Sequence, residues 1–143
     1  MKAIRHTGIT VSDLDRAIDF YQGLLGFRVI KRAIEQSKYI DYLTGLKNVK
    51  LTTVKLAADD GNLIELYFFH SHPSLINRKR RITEIGLSHV AFTVKDIDQE
   101  YKRLSQAGVK FNSSPKISPD KYAKVAFCRD PEGVLIEFVE VLK

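Results

Sequence analysis

Apolar residues recur at helical spacing in two stretches of the chain. Leu14, Ala17, Ile18, Tyr21, Leu24 and Leu25 share one face of a 3.6-residue repeat, with Ser12 placed to cap the first turn, Asp13 and Asp15 within it, and Gly26 placed to end the helix. Ile97, Tyr101, Leu104 and Ala107 repeat the arrangement ahead of Gly108. Shorter apolar runs follow each helix, at 27–33, 49–57 and 63–69 and again at 109–112, 123–128 and 135–141, and these read as strands. Asp59-Asp60-Gly61-Asn62 and Asp130-Pro131-Glu132-Gly133 supply hairpin turns between the last two strands of each set.

The two sets are copies of one plan. Ile4-Arg5-His6-Thr7-Gly8-Ile9-Thr10-Val11-Ser12-Asp13-Leu14-Asp15 aligns without a gap on Leu87-Ser88-His89-Val90-Ala91-Phe92-Thr93-Val94-Lys95-Asp96-Ile97-Asp98 at an offset of 83 residues. Gly61-Asn62-Leu63-Ile64-Glu65-Leu66 aligns on Gly133-Val134-Leu135-Ile136-Glu137-Phe138 at an offset of 72. Each half thus opens with a histidine-bearing strand and closes with a glutamate-bearing one. The shrinking offset places about eleven surplus residues in the first half, around 38–50. The reading is an α+β chain of two tandem β-α-β-β-β modules, near 1–75 and 84–143, within one domain spanning 1–143.

Side chains alternate along a strand, so His6, Gly8 and Thr10 share one face while Ile9 and Val11 share the other; His89, Ala91 and Thr93 match the first set. Glu65 sits between Leu63 and Tyr67 on its face, and Glu137 between Leu135 and Val139. An ionised carboxylate among apolar neighbours is costly unless something compensates it. A cation does so, and two imidazoles with two carboxylates suit one divalent transition metal, zinc or nickel first, with cobalt, manganese or iron as further choices, rather than calcium or magnesium. A lone strand histidine is usually structural. His and Glu at equivalent places in both halves favour a shared site of His6, Glu65, His89 and Glu137.

Composition adds little that disturbs this picture. Hydrophobic content of 44% and charged content of 28% are those of a folded globular chain. The net charge of +6 admits anionic partners, but the basic residues are scattered apart from Arg78-Lys79-Arg80-Arg81, which has no interleaved aromatics for base stacking and reads as a solvated linker. Neither nucleic acid nor membrane is expected as a partner. The single cysteine, Cys128, excludes an internal disulfide and reads as a core or edge thiol. His70 and His72 precede Pro73 and read as loop residues. Met1-Lys2-Ala3-Ile4-Arg5-His6 has no apolar leader run, so a cytoplasmic location is expected.

His6 with Thr10-Val11-Ser12-Asp13-Leu14, Phe20-Tyr21 with Leu25-Gly26-Phe27, Glu65, His89 with Phe92-Thr93-Val94, and Asp130-Pro131-Glu132-Gly133 leading to Glu137 resemble the vicinal oxygen chelate superfamily, most closely its glyoxalase I-like branch. The resemblance implies modules that curl their sheets around a metal held by His6, Glu65, His89 and Glu137, and a homodimer. It also implies a lyase or isomerase that moves a proton through a metal-bound enediolate of a small 2-oxoaldehyde–thiol adduct. Glu137 is the expected base, with Glu65 the symmetric second choice. Residues 113–122 lack the glycine-containing basic segment of the glutathione-dependent enzymes, which speaks against glutathione as the thiol. Two other readings stand beside this one: an epimerase of an acyl-CoA or similar small molecule, and a metal-free drug- or ligand-binding protein.

Overall fold

The computed structural model describes residues 2–74 and 81–143. Met1 and residues 75–80 lie outside them, and with them Arg78, Lys79 and Arg80 of the basic run. The chain divides into two compact units, Met1–Asn77 and Arg78–Lys143.

In the first unit, β1 (Thr7–Thr10) leads into α1 (Leu14–Ile18), which continues as a π-helical segment Asp19–Leu24. Then come β2 (Arg28–Glu35), α2 (Lys38–Thr44), β3 (Leu51–Ala57) and β4 (Leu63–Phe69). The strands form one mixed sheet in the order β1-β4-β3-β2, with β1 parallel to β4 and the other neighbours antiparallel. The second unit repeats this with β5 (Val90–Thr93), α3 (Ile97–Gln106), β6 (Lys116–Ile117), β7 (Ala123–Arg129) and β8 (Leu135–Val141) in the order β5-β8-β7-β6. The fold is α+β.

Alternation decides which face each sheet buries. Val54, Leu56, Ile64 and Leu66 are buried together with Leu14 and Ala17 of α1, while the opposite face carries Glu65. Tyr21 is fully buried, with the rings of Phe20 and Phe27 edge-on at 5.2 and 6.2 Å. In the second unit Ile97 and Leu104 of α3 are buried along with Ala126, Cys128, Ile136 and Phe138. The hairpin turns close as their sequences require, with Gly61 at φ +84° and Gly133 at φ +88°, a region that L side chains rarely enter.

Several local expectations shift. Asp13 rather than Ser12 caps α1: it holds the last extended backbone before Leu14, so its carboxylate accepts from Arg16 N–H at 3.0 Å. Residues 109–112 are not a strand; only Phe111 bridges to Cys128 there, and the short β6 takes the edge position instead. Ser113, Ser114 and Pro115 interrupt the run, and proline has no N–H to give a ladder. The surplus residues of the first half fold into α2 and its return loop. Ile40 of α2 is buried against Val49 and Leu51, and Tyr67 and Phe69 pack on that cluster, so α2 lies on the Glu65 face of the sheet.

Asp41 fastens α2 in place. Its carboxylate accepts from Val49 N–H at 2.8 Å and Asn48 N–H at 3.0 Å, and Asn48 takes a left-handed backbone with φ +56° to allow it. The Val49 hydrogen bond, foremost, holds the Asp41 carboxyl below its usual 3.8. A carboxyl depressed in the folded state stabilises above its unfolded pKa and loses that contribution as the pH falls through the folded value. The anchoring of α2 is therefore intact at neutral pH and weakens below about pH 4. Urea titrations of wild type and Asp41→Ala should differ at pH 6 and converge toward pH 3; a gap of constant size across that range would assign Asp41 no such role.

Candidate functional site

The parallel pairing of β1 with β4 sets Gly8 opposite Glu65, and that of β5 with β8 sets Ala91 opposite Glu137. His6 and His89 stand two residues before these small residues and so on the same face. They were expected inside the strands. Both ladders instead begin one residue later, at Thr7 and Val90, so each histidine sits at a strand mouth with its ring turned toward the glutamate.

The result is the same pair made twice. His6 Nε2 lies 3.1 Å from Glu65 Oε2, and His89 Nε2 lies 3.1 Å from Glu137 Oε2. Adjacent ligands of one ion with bonds of about 2.0–2.2 Å stand about 3.0–3.4 Å apart, so the spacing fits two neighbouring positions in a coordination shell. The donor chemistry fits as well. Among the described residues no group of three or more His, Cys, Asp and Glu side chains that could hold a metal ion comes together; each unit holds one His–Glu pair.

The two imidazoles are supported differently. His89 Nδ1 is 2.8 Å from Ser88 Oγ, a contact that orients the ring and leaves Nε2 facing Glu137, as the outer partner of a ligating imidazole would. His6 Nδ1 is buried with no hydrogen-bond partner among the described residues. A ring with an orphaned buried nitrogen is not the satisfied structural histidine that would explain its presence by stability alone.

The glutamates differ more. Glu65 has a side chain only 7% exposed, accepts a hydrogen bond from the Tyr67 hydroxyl at 2.9 Å on Oε2, and has Lys55 Nζ 3.6 Å from Oε1. Burial first, and then the hydrogen bond and charge of Glu65, push the Tyr67 phenol up to about 12. Gly8 makes room for this: a Cβ there would stand 3.0 Å from Tyr67 Cε2. Around Glu137, 21% exposed, the corresponding positions are apolar: Phe127 stands opposite it in the ladder, its ring edge-on to His89 at 5.5 Å, and Val139 is two residues on. Sequence reasoning missed Lys55, Tyr67 and Ser88. Tyr67 was legible two residues from Glu65 on the same face, whereas Lys55 needed the strand register.

The remaining candidates stay outside these pairs. His70 follows β4, with Nε2 2.8 Å from Thr52 Oγ1 and its ring edge-on to Phe68 at 4.7 Å; His72 is exposed, with Nδ1 2.7 Å from Ser71 Oγ. Cys128 is fully buried, and burial first, then the Asp130 charge, lift its thiol to about 12, far from a nucleophile's range.

A family model, the Glyoxalase/Bleomycin resistance protein/Dioxygenase superfamily, matches residues 3–138. The chain belongs to this superfamily. Within the superfamily it is 32% identical over 142 residues to lactoylglutathione lyase of Haemophilus influenzae, covering 96% of this chain and 91% of that protein. It is 28% identical over 140 residues to the Bacillus subtilis protein YwkD, covering 98% of each. Against lactoylglutathione lyase of Schizosaccharomyces pombe the identity is 30% over 146 residues, but the match spans only 46% of that longer protein. A glyoxalase family protein from Bacillus cereus superposes with a TM-score of 0.89 at 27% identity, covering 100% of this chain and 96% of that one. Among the described residues no helix is long and apolar enough to cross a membrane.

Tyr67→Phe removes one of the polar partners of buried Glu65 and is expected to cost the metal-free protein about 1–2 kcal/mol in urea denaturation. An unchanged midpoint would show that the carboxylate is satisfied without the phenol.

Proposed function

We propose that this chain is a metal-dependent lyase or isomerase of glyoxalase I type, acting on a small 2-oxoaldehyde–thiol adduct. The observation that carries the reading is the duplicated His–Glu pair, with one 3.1 Å nitrogen–oxygen spacing in both units. His6, Glu65, His89 and Glu137 would hold one divalent transition metal, two donors from each unit, in an assembly we take to be a homodimer. When bound, such an ion supplies Lewis acidity that stabilises negative charge on two vicinal substrate oxygens.

The side chains divide the remaining work. Glu65, buried and held by Tyr67 and Lys55, is suited to stay where it is. Glu137 lacks both restraints and is the more exposed, so its carboxylate is the one suited to take the carbon-bound proton and hand it to the neighbouring carbon. Ser88 keeps the His89 ring aimed while Glu137 moves. Phe127 lines the same place with an apolar edge, excluding water from the developing charge. The lactoylglutathione lyase of Haemophilus influenzae, similar along nearly its whole length, supports a hemithioacetal substrate over an acyl-CoA.

Elemental analysis of purified protein should find about one transition metal per chain, lost in His6→Ala. Glu137→Gln keeps an oxygen donor but no base, and is expected to retain metal while turnover of a hemithioacetal falls by about 100-fold or more. Full turnover in Glu137→Gln would remove Glu137 from the proton transfer. A preparation that takes up no metal even on reconstitution would point to a ligand-binding protein of the same fold.

A further inference from the structure

The Glu65 face of the first sheet carries more positive charge than its neighbours answer. Glu65 stands opposite Lys55 in the β3–β4 ladder, and Lys55 stands opposite Lys31 in the β2–β3 ladder, so one row across the sheet runs Lys31, Lys55, Glu65. A register shift produces that row. Val29 pairs with Leu56, yet the next residue of β3, Lys55, pairs with Lys31, whereas an unbroken ladder would present Ile30. The extra residue is a bulge, and its effect is to aim Lys31 at the face of Lys55.

Like charges directly opposite one another in a ladder are destabilising. Lys31 is exposed, and the Lys55 side chain is 26% exposed with its ammonium 3.6 Å from Glu65 Oε1. The other carboxylate on this face of β2 is Glu35, four residues from Lys31 and so about 13 Å along the strand. In the second unit the residue opposite Glu137 is Phe127, and Arg129, two residues further along that face, donates to the Gly133 carbonyl at 2.6 Å.

We propose that Lys55 and Lys31 form an anion subsite beside Glu65, and that the substrate of this site carries a carboxylate or phosphate a short carbon link from its vicinal oxygens. The inference rests on the metal-binding reading of Glu65: once a divalent ion takes up that carboxylate's charge, the two lysines of the row are left without it, and an oxyanion answers them through charge-assisted hydrogen bonds. The β2 bulge keeps both groups on one face for that purpose.

The test uses the metal-loaded full chain and three probes that chelate through vicinal oxygens: acetohydroxamate with a neutral tail, succinate monohydroxamate with a carboxylate, and phosphonoacetohydroxamate with a phosphonate. Calorimetric titration should find at least one anionic probe bound about tenfold tighter than the neutral one, and the better of the two identifies the anion class. Lys31→Met, which keeps the Lys55–Glu65 contact, should weaken the preference about threefold or more while leaving acetohydroxamate affinity within about twofold, and Lys55→Met should abolish the preference, read as the ratio of anionic to neutral probe affinity in the same metal-loaded variant. Equal affinities in wild type, or a preference that survives Lys55→Met, overturn the subsite. Absence of metal together with no binding of acetohydroxamate overturns the metal reading and the subsite with it, and the neutral probe tells that outcome from the first.

Discussion

A carboxylate set between apolar neighbours on a closing strand is the constraint on which the rest of the site depends. Transferring an ionised group out of water is expensive unless partners replace the lost solvation. Glu65 and Glu137 sit between leucine, valine and tyrosine on their strands, and each is met by an imidazole from the mouth of the neighbouring parallel strand. That parallel pairing needs a crossover, which α1 and α3 provide while covering the far face of each sheet. The order of elements in each unit therefore follows from the need to bring one histidine beside one glutamate.

Duplication supplied two such pairs, and divergence has made them unequal. Around Glu65 the chain adds a lysine across the ladder, a tyrosine on the same strand, and α2, packed through Ile40 on the cluster that supports Tyr67. Around Glu137 it places Phe127 and Val139, with Ser88 behind the histidine. A carboxylate with several fixed partners loses little by staying put, whereas Glu137, whose partner among the described residues is the His89 imidazole, is held by fewer groups. The division of labour we propose for these chemically equivalent residues rests on their surroundings, the same principle by which paired carboxylates in enzymes take different roles.

Membership of the glyoxalase, bleomycin resistance and dioxygenase superfamily narrows the chemistry without choosing a substrate, because this fold hosts enzymes and binding proteins alike. What bears on the choice is local: the presence of His6, Glu65, His89 and Glu137, the His–Glu spacing within each unit, and the electrostatics of the strand rows beside them. The bulged row of Lys31 and Lys55 belongs to the first unit alone.

Much of this was legible in the residues themselves. The internal repeat, the helix periodicity, the two glycine-bearing hairpin turns and the shared face of His6, Gly8 and Thr10 are local properties, set by side-chain alternation and backbone preference, and each appears in the structure. The cap moved by one residue to Asp13, and residues 109–112 yielded to a shorter strand beyond Pro115, because competing local hydrogen bonds and a missing N–H settle such boundaries more finely than hydropathy does. The sequence alone thus determined the α+β plan and the four candidate donors, since period and turn chemistry act over a few residues. Only the tertiary structure decided that Lys55 and Tyr67 restrain Glu65 while Phe127 faces Glu137, and that a bulge carries Lys31 into the same row, because strand register and cross-strand contact are fixed by pairing between residues distant in the chain.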